Sequence, residues 1–248
     1  MDVALGVLAF WPALALGSFV NVVAARMPLR RSVVRPASAC MSCGSELAWY
    51  DNVPVLSWLL LHGRCRSCSA KISPLYPAVE LATAVLVAAC FLAFGFSGKA
   101  FVSSFFCVVL VAVTATDITH RIVPNRIVLP AAVIVLAAQT ALDPSPEWAL
   151  GPLGASGFLL LAALAYPAGM GMGDVKLALL LGAMLGRVVG VGLMLGMLAA
   201  LLPSIVLLAR HGSAARKMGI PFAPFLALGA LIALFAGDAL LDTYLSTF

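Results

Sequence analysis

Four cysteines in two short pairs are the strongest chemical signal in the sequence. Two residues separate Cys40 from Cys43, two separate Cys65 from Cys68, and a longer segment lies between the pairs. Two turns that each present two thiolates are typical of a tetrahedral zinc site, and four thiolates leave the ion no open position for water. We therefore predict a structural zinc, with redox-active pairs or free thiols as the alternatives.

Two further cysteines, Cys90 and Cys107, lie singly inside apolar runs. Free cysteine behaves there as a small hydrophobic residue. We expect both to be core-facing or lipid-facing, with no chemical role.

Three acidic residues, Glu80, Asp117 and Asp174, lie at or near the ends of apolar runs. Ionisable groups at membrane depth are costly and usually functional. Asp117 and Asp174 can lie at one depth and face each other across a helical bundle. Two facing carboxylates could carry out acid–base chemistry. The alternative is structural: Asp174 would cap the helix that follows it, and Asp117 would form a salt bridge with Arg121.

The residues around Asp174 could support such chemistry. Gly171 and Gly173 let the backbone leave helical geometry and approach a neighbouring chain closely, so that an extended substrate could pair there. Lys176 could bias the charge of the aspartate, or serve only as a membrane anchor. Glu80 could orient an arginine or contact a substrate amine, or act only as an acidic residue at a helix start.

The elements that must position these residues are membrane helices. The chain is 63% hydrophobic and 10% charged, with a mean hydropathy of +1.09, far more apolar than a soluble domain. A spanning helix needs about 20 apolar residues. We predict an all-α multi-pass membrane protein with about eight spans, near 3–23, 77–97, 100–118, 127–142, 150–168, 175–187, 188–209 and 222–241. The boundary between the sixth and seventh spans depends on the Gly186-Arg187 break, so seven spans remain the alternative.

The basic residues predict the orientation. With the N-terminus outside, thirteen of the fifteen Lys and Arg residues fall in inside segments, as the positive-inside rule requires. The outside exceptions are Lys99 and Arg187. Because the basic residues lie between apolar runs and not on one face, we expect a lipid bilayer and no nucleic acid as the partner. The thirteen inside residues are Arg26, Arg30, Arg31, Arg35, Arg64, Arg66, Lys71, Arg121, Arg126, Lys176, Arg210, Arg216 and Lys217.

The sequence divides into three parts. Residues 1–23 form the first span, residues 24–74 a small cytoplasmic domain with the four cysteines, and residues 75–248 the remaining spans. A domain of roughly 50 residues usually needs a metal, disulfides or a partner to stay folded. Disulfides are not expected in the reducing cytosol, which favours zinc.

Several motifs resemble one known family, the type IV prepilin peptidases. Gly171-Met172-Gly173-Asp174 resembles the GxGD motif of that family, in its fuller form from Gly169 to Leu177. Asp117, followed by Pro124-Asn125, is similar to the first catalytic aspartate of the family. Further segments follow in family order: 17–22 with Arg26 and Pro28, 49–58, 76–81 and 220–225. In the last of these, Ala223 stands where glycine is common.

The resemblance implies an inner-membrane aspartyl protease with Asp117 and Asp174 as its catalytic pair at the cytoplasmic face. It implies cleavage of prepilins or pseudopilins after a glycine that precedes the hydrophobic helix. It also implies methylation of the new N-terminal residue with S-adenosylmethionine. For this second activity we expect the cytoplasmic segment 24–73, including the residues around Gly63.

Two rival functions make different predictions. A proton-coupled secondary transporter could use Asp117 and Asp174 as a proton relay, but it predicts internal repeats and gives no reason for a four-cysteine module. A non-enzymatic pilus or secretion assembly factor could use the zinc module for docking. It would not need both aspartates.

Overall fold

A computed structural model describes residues 2–167, 170–212 and 219–247. The described residues form helices and no β-strand; two isolated β-bridges occur, Ala39 with Glu46 and Arg64 with Lys71. The α-helices are α1 (Asp2–Arg26), α2 (Leu56–Leu60), α3 (Leu75–Phe94), α4 (Gly98–His120), α5 (Asn125–Leu142), α6 (Glu147–Ala165), α7 (Met172–Leu185), α8 (Val189–His211) and α9 (Ala223–Leu245). Short 3-10 helices cover Trp49–Asn52 and Gly186–Val188.

Seven apolar helical segments within the described residues are long enough to cross a membrane. The sixth, Met172–His211, runs for 40 residues and contains a break. Gly186 has a φ of 51°, a left-handed conformation that glycine adopts without steric cost, and it ends α7. The predicted division of this segment at Gly186-Arg187 is therefore confirmed, and with it the predicted all-α membrane fold.

The chain separates into two compact units, Met1–Thr116 and Asp117–Phe248. In the first unit, α1 and α3 pack closely and antiparallel. Gly6 lies against Leu92, and Gly17 lies so close to Glu80 that a Cβ on Gly17 would come 2.6 Å from the Glu80 Cα atom. Only glycine permits this approach, which fixes the position of Glu80 relative to α1.

In the second unit, α7 is the most buried helix. Its residues from Leu177 to Leu185 lie largely in the interior, as expected of a helix that is apolar on all sides. Close backbone contacts join the helices of this unit in pairs. Gly182 of α7 meets Gly151 of α6, and Gly229 of α9 meets Gly192 and Gly196 of α8, the small-residue packing common between membrane helices.

Candidate active site and cysteine cluster

Asp117 lies near the C-terminal end of α4 and is 6% exposed. Its Oδ2 atom accepts a hydrogen bond of 3.1 Å from the backbone N–H of Ala223, the first residue of α9. That N–H is one of the helix-start donors that have no partner within their own helix. The start of α9 therefore holds one side of the Asp117 carboxylate in place.

Asp174 lies in the first turn of α7 and is half-buried. Its backbone N–H donates to the Gly171 carbonyl over 3.1 Å. The Asp174 and Asp117 carboxylates are near enough for the charge on one to act on the other. The structure thus brings together the two aspartates that the sequence singled out, within one compact unit.

Gly173 permits the placement of Asp174. A Cβ on Gly173 would lie 2.9 Å from the Val123 Cβ atom, in the connector between α4 and α5. A Cβ on Gly171 would lie 3.6 Å from the Asp174 carboxylate and 3.9 Å from the Gly173 backbone nitrogen, both ordinary contacts. The close approach at Gly173 is therefore to the Val123 side chain, and the pairing of an extended substrate at these glycines stays a prediction. Gly169, the start of the fuller motif, lies outside the described residues.

Lys176 connects the two motifs that surround the aspartates. Its Nζ donates to the Oδ1 atom of Asn125 over 3.0 Å, and Asn125 is the first residue of α5. The lysine therefore ties the first turn of α7 to the Pro124-Asn125 turn that follows Asp117.

Each structural alternative for the aspartates has one contact behind it. Gly171 is the N-cap residue of α7, and its backbone N–H lies within hydrogen-bonding reach of the Asp174 carboxylate, as in a capping box. The ion pairs within the described ranges join Arg66 to Asp51 and Arg187 to Asp238. Asp117 takes part in neither, although the positive charge of Arg121 acts on its carboxylate.

The four cysteines of the first unit converge. The Sγ atoms of Cys40, Cys43, Cys65 and Cys68 all lie within 4.8 Å of one another, and the Cys40 and Cys68 sulfurs are 3.8 Å apart. A tetrahedral ion with sulfur ligands at ~2.3 Å places sulfurs about 3.8 Å apart. The cluster could therefore hold a zinc ion, as the spacing predicts.

The two cysteine turns have the same pattern of backbone hydrogen bonds. The Cys40 N–H donates to the Ser45 carbonyl and the Cys65 N–H to the Ala70 carbonyl, each five residues on. Backbone N–H groups at Cys43 and Ser42 lower the pKa of the Cys40 thiol. Those at Cys68 and Ser67 likewise lower the pKa of the Cys65 thiol. Each turn thus favours the thiolate, the form that binds metal, at its first cysteine. At Cys68 the Ala70 backbone lowers the pKa of the thiol, but hydrogen bonding with the neighbouring cysteines, Cys43 first, raises that pKa to about 12.

Glu80 and Gly63 have clear local contacts. The Oε2 atom of Glu80 accepts the Val55 N–H over 2.7 Å, which places α2 against α3. Gly63 has a φ of 66°, and a Cβ there would lie 2.9 Å from the Trp58 ring. Gly63 is therefore required by the turn before Cys65 and by the packing of Trp58.

Cys90 and Cys107 are buried, as the apolar runs predict, but they are not separate: their sulfurs lie 3.7 Å apart. Their spacing along the chain gave no signal of this contact, which depends on how α3 and α4 pack. No disulfide joins them, since a bonded pair of sulfurs is about 2 Å apart.

Comparison with known families covers almost the whole chain. Residues 12–94 match the bacterial peptidase A24 N-terminal domain, and residues 104–237 match the type IV leader peptidase family. The chain belongs to the type IV leader peptidase family. It is therefore an enzyme of a peptidase family, and its apolar helices make it a multi-pass membrane protein, as predicted.

Several relatives in this family carry the name prepilin leader peptidase/N-methyltransferase. The Bacillus subtilis protein is 38% identical over 94% of this chain and 94% of its own length. The Pseudomonas aeruginosa protein is 34% identical over 94% of this chain and 90% of its own length. The Myxococcus xanthus protein is 39% identical over 79% of this chain and 61% of its own length. No solved structure matches the chain.

Sequence reasoning missed the partners that hold the site. The Ala223 amide, the Val123 side chain and the Val55 amide are far in sequence from the acidic residues or glycine that they contact. The one available signal was the resemblance of segment 220–225 to the family. It marked the start of α9 but did not indicate that this helix start contacts Asp117.

Proposed function

We propose that this protein cleaves the leader peptide from type IV prepilins or pseudopilins and then N-methylates the new N-terminus. The observation that carries the peptidase half is the convergence of Asp117 and Asp174 in one unit, with Asp117 held by the start of α9. The names of the relatives support both halves.

The two aspartates act as an acid–base pair. Two neighbouring carboxylates do not both ionise easily, so one holds a proton while the other stays charged. The charged carboxylate deprotonates a water molecule, which attacks the peptide carbonyl, and the protonated one donates to the carbonyl oxygen. Because such a pair titrates as a unit, the two roles belong to the pair and not to either residue.

The substrate and the orientation fit each other. A prepilin is an apolar helix with a short basic leader, so the bond to be cut lies where the helix leaves the membrane. The distribution of Lys and Arg favours a cytoplasmic position for the turns around Asp117 and Asp174. We assign the N-terminus to the periplasm and residues 75–248 to the peptidase domain.

The cytoplasmic segment 24–74 carries the second activity. S-adenosylmethionine supplies an electrophilic methyl group, and the amine freed by cleavage accepts it. The zinc that Cys40, Cys43, Cys65 and Cys68 would hold has no open coordination position, so its role is to fold this segment.

One experiment tests both halves. Purified protein in detergent is incubated with a prepilin carrying a Gly-Phe junction, with and without S-adenosylmethionine. We expect a product that begins with phenylalanine in both reactions and carries one added methyl group only when the donor is present. An intact prepilin would contradict the peptidase assignment, and a cleaved but never methylated product would contradict the transferase assignment.

A further inference from the structure

A cavity of about 410 Å³ lies in the first unit, where the cysteine turns meet the ends of α1 and α3. Its volume is typical of a small-molecule site. The C-terminal end of α1, the first turns of α3, both cysteine turns and Trp58 form its walls. Representative lining residues are Asn21, Cys40, Asp51, Trp58, Cys65 and Glu80.

Three carboxylates line this cavity, and they differ in what they contact. Glu46 is exposed to solvent. Asp51 is bound by Arg66, whose Nη2 and Nε atoms lie 2.7 and 3.1 Å from its Oδ1 atom. Glu80 is 8% exposed and is in neither ion pair found among the described residues. It is the buried carboxylate of the cavity that lacks a cation.

Glu80 is also rigidly placed. The close contact of Gly17 with its backbone sets the position of the main chain. Val55 donates its N–H to the Oε2 atom, and the side chains of Ser18 and Asn21 face the carboxylate. A buried carboxylate with no cationic partner is costly, and a group held this firmly in a cavity is suited to bind an incoming cation.

We propose that Glu80 binds the α-ammonium group of the cleaved substrate in this cavity. The inference rests on the proposed function, because cleavage creates that ammonium at the point where the apolar helix leaves the membrane. The C-terminal end of α1 and the start of α3 form part of the cavity wall, so the cavity lies where these two helices leave the membrane. A charged N-terminus can therefore reach Glu80 while the apolar helix stays in the bilayer.

Methyl transfer then proceeds on the amine that Glu80 has oriented. The ammonium first releases one proton to solvent. The nitrogen lone pair forms the new N–C bond while the C–S bond of the donor breaks and its electron pair stays on sulfur. The sulfonium becomes a neutral thioether, and the positive charge moves to the methylated nitrogen.

A binding measurement without S-adenosylmethionine tests this role. A cleaved pilin peptide, labelled at its C-terminal end, is prepared with a free α-amine or an acetylated one, and its affinity for the full-length protein in detergent is measured by fluorescence anisotropy. We expect the wild type to bind the free amine about tenfold more tightly, the scale of one hydrogen bond to a charged group. In Glu80→Gln this preference should disappear.

Glu80→Gln removes the negative charge of the side chain but keeps its shape and a hydrogen-bond acceptor. Its amide oxygen can still accept the Val55 N–H, so the cavity should be retained, as judged by zinc content and by thermal unfolding. Glu46→Gln, at an exposed carboxylate of the same cavity, is the matched control and should keep the tenfold preference. A preference that survives in Glu80→Gln, or that is absent from the wild type, would overturn the assignment.

The outcomes distinguish this inference from the proposed function. A wild type that prefers the free amine but never methylates it would contradict the transferase and leave amine binding in place. A wild type that methylates the product without any amine preference would contradict only the role of Glu80. If Glu80→Gln does not fold, a wild type that binds the two peptides equally well still overturns the assignment.

Discussion

Replacing Gly173 with alanine should lower the rate of leader cleavage while leaving the protein folded. In Gly173→Ala the new Cβ would lie 2.9 Å from the Val123 Cβ atom, about 1 Å closer than carbon atoms prefer. The position of a Cβ atom is set by the backbone, so no change of side-chain rotamer relieves this contact. The first turn of α7, with Asp174 in it, must move away from the connector that follows Asp117.

The two energetic terms at this position oppose each other. Overpacking costs about 1–3 kcal/mol, whereas alanine is preferred over glycine inside a helix by about 1 kcal/mol. The net loss of stability is therefore about 0–2 kcal/mol, which leaves the protein folded. A displacement of about 1 Å at a catalytic group can cost 100-fold in rate, so we expect the cleavage rate to fall by about that factor.

The assay compares initial rates of leader cleavage in detergent with thermal unfolding of the same samples. Gly171→Ala is the matched control. A Cβ at Gly171 would make only ordinary contacts, with the Asp174 carboxylate at 3.6 Å and the Gly173 nitrogen at 3.9 Å, and the backbone there is extended. It should retain most of the wild-type rate. Val123→Gly removes the obstructing Cβ, so it should restore part of the rate lost in Gly173→Ala, whereas Val123→Ala should not.

The refuting result is specific. If Gly173→Ala cleaves as fast as Gly171→Ala while both are folded, the contact with Val123 does not position Asp174. A failure of Val123→Gly to restore any activity would show that the loss at Gly173 arises elsewhere.

Two further predictions concern the lysine and the zinc site. Lys176→Met removes the hydrogen bond to Asn125, worth about 1 kcal/mol, so leader cleavage should slow roughly fivefold; an unchanged rate would show that the lysine is only an anchor. Metal analysis should find one zinc per chain, and Cys40→Ser should abolish its binding while Cys90→Ser leaves it intact; equal zinc content in the two variants would contradict the four-cysteine site. Zinc affinity should also fall as the pH is lowered, because the thiolates must lose their protons to bind, and a flat pH dependence would count against thiolate ligation.

The helices and the cysteine cluster were predictable because their signals are local. Apolar runs of spanning length mark membrane helices, and the glycine at position 186 marks the break between α7 and α8. Two cysteines separated by two residues can bind one metal ion from a single turn. The metal site at Cys40 and Cys43 could therefore be predicted without knowledge of the rest of the fold. Boundaries moved by only a few residues: the span expected from 175 begins at Met172.

The contacts that hold the site could not be predicted in the same way. The hydrogen bond from Ala223 to Asp117 joins residues 106 apart in sequence, and no spacing rule indicates which helix start faces which carboxylate. The substitution of alanine for the glycine common in the family is harmless to this contact, because the backbone N–H makes it. Glu80 and Val55 are a similar case, 25 residues apart, where the loop before α2 returns to a membrane helix.

The most direct test of the central claim is leader cleavage by Asp117→Asn and Asp174→Asn. The asparagine oxygen at 117 can still accept the Ala223 N–H, so both proteins should insert in the membrane and bind zinc as the wild type does. Because a general acid or base contributes about 10²–10⁴-fold, each variant should lose at least about a hundredfold in the rate of cleavage at the Gly-Phe junction. Wild-type rates in both folded variants would show that these aspartates are not the catalytic pair.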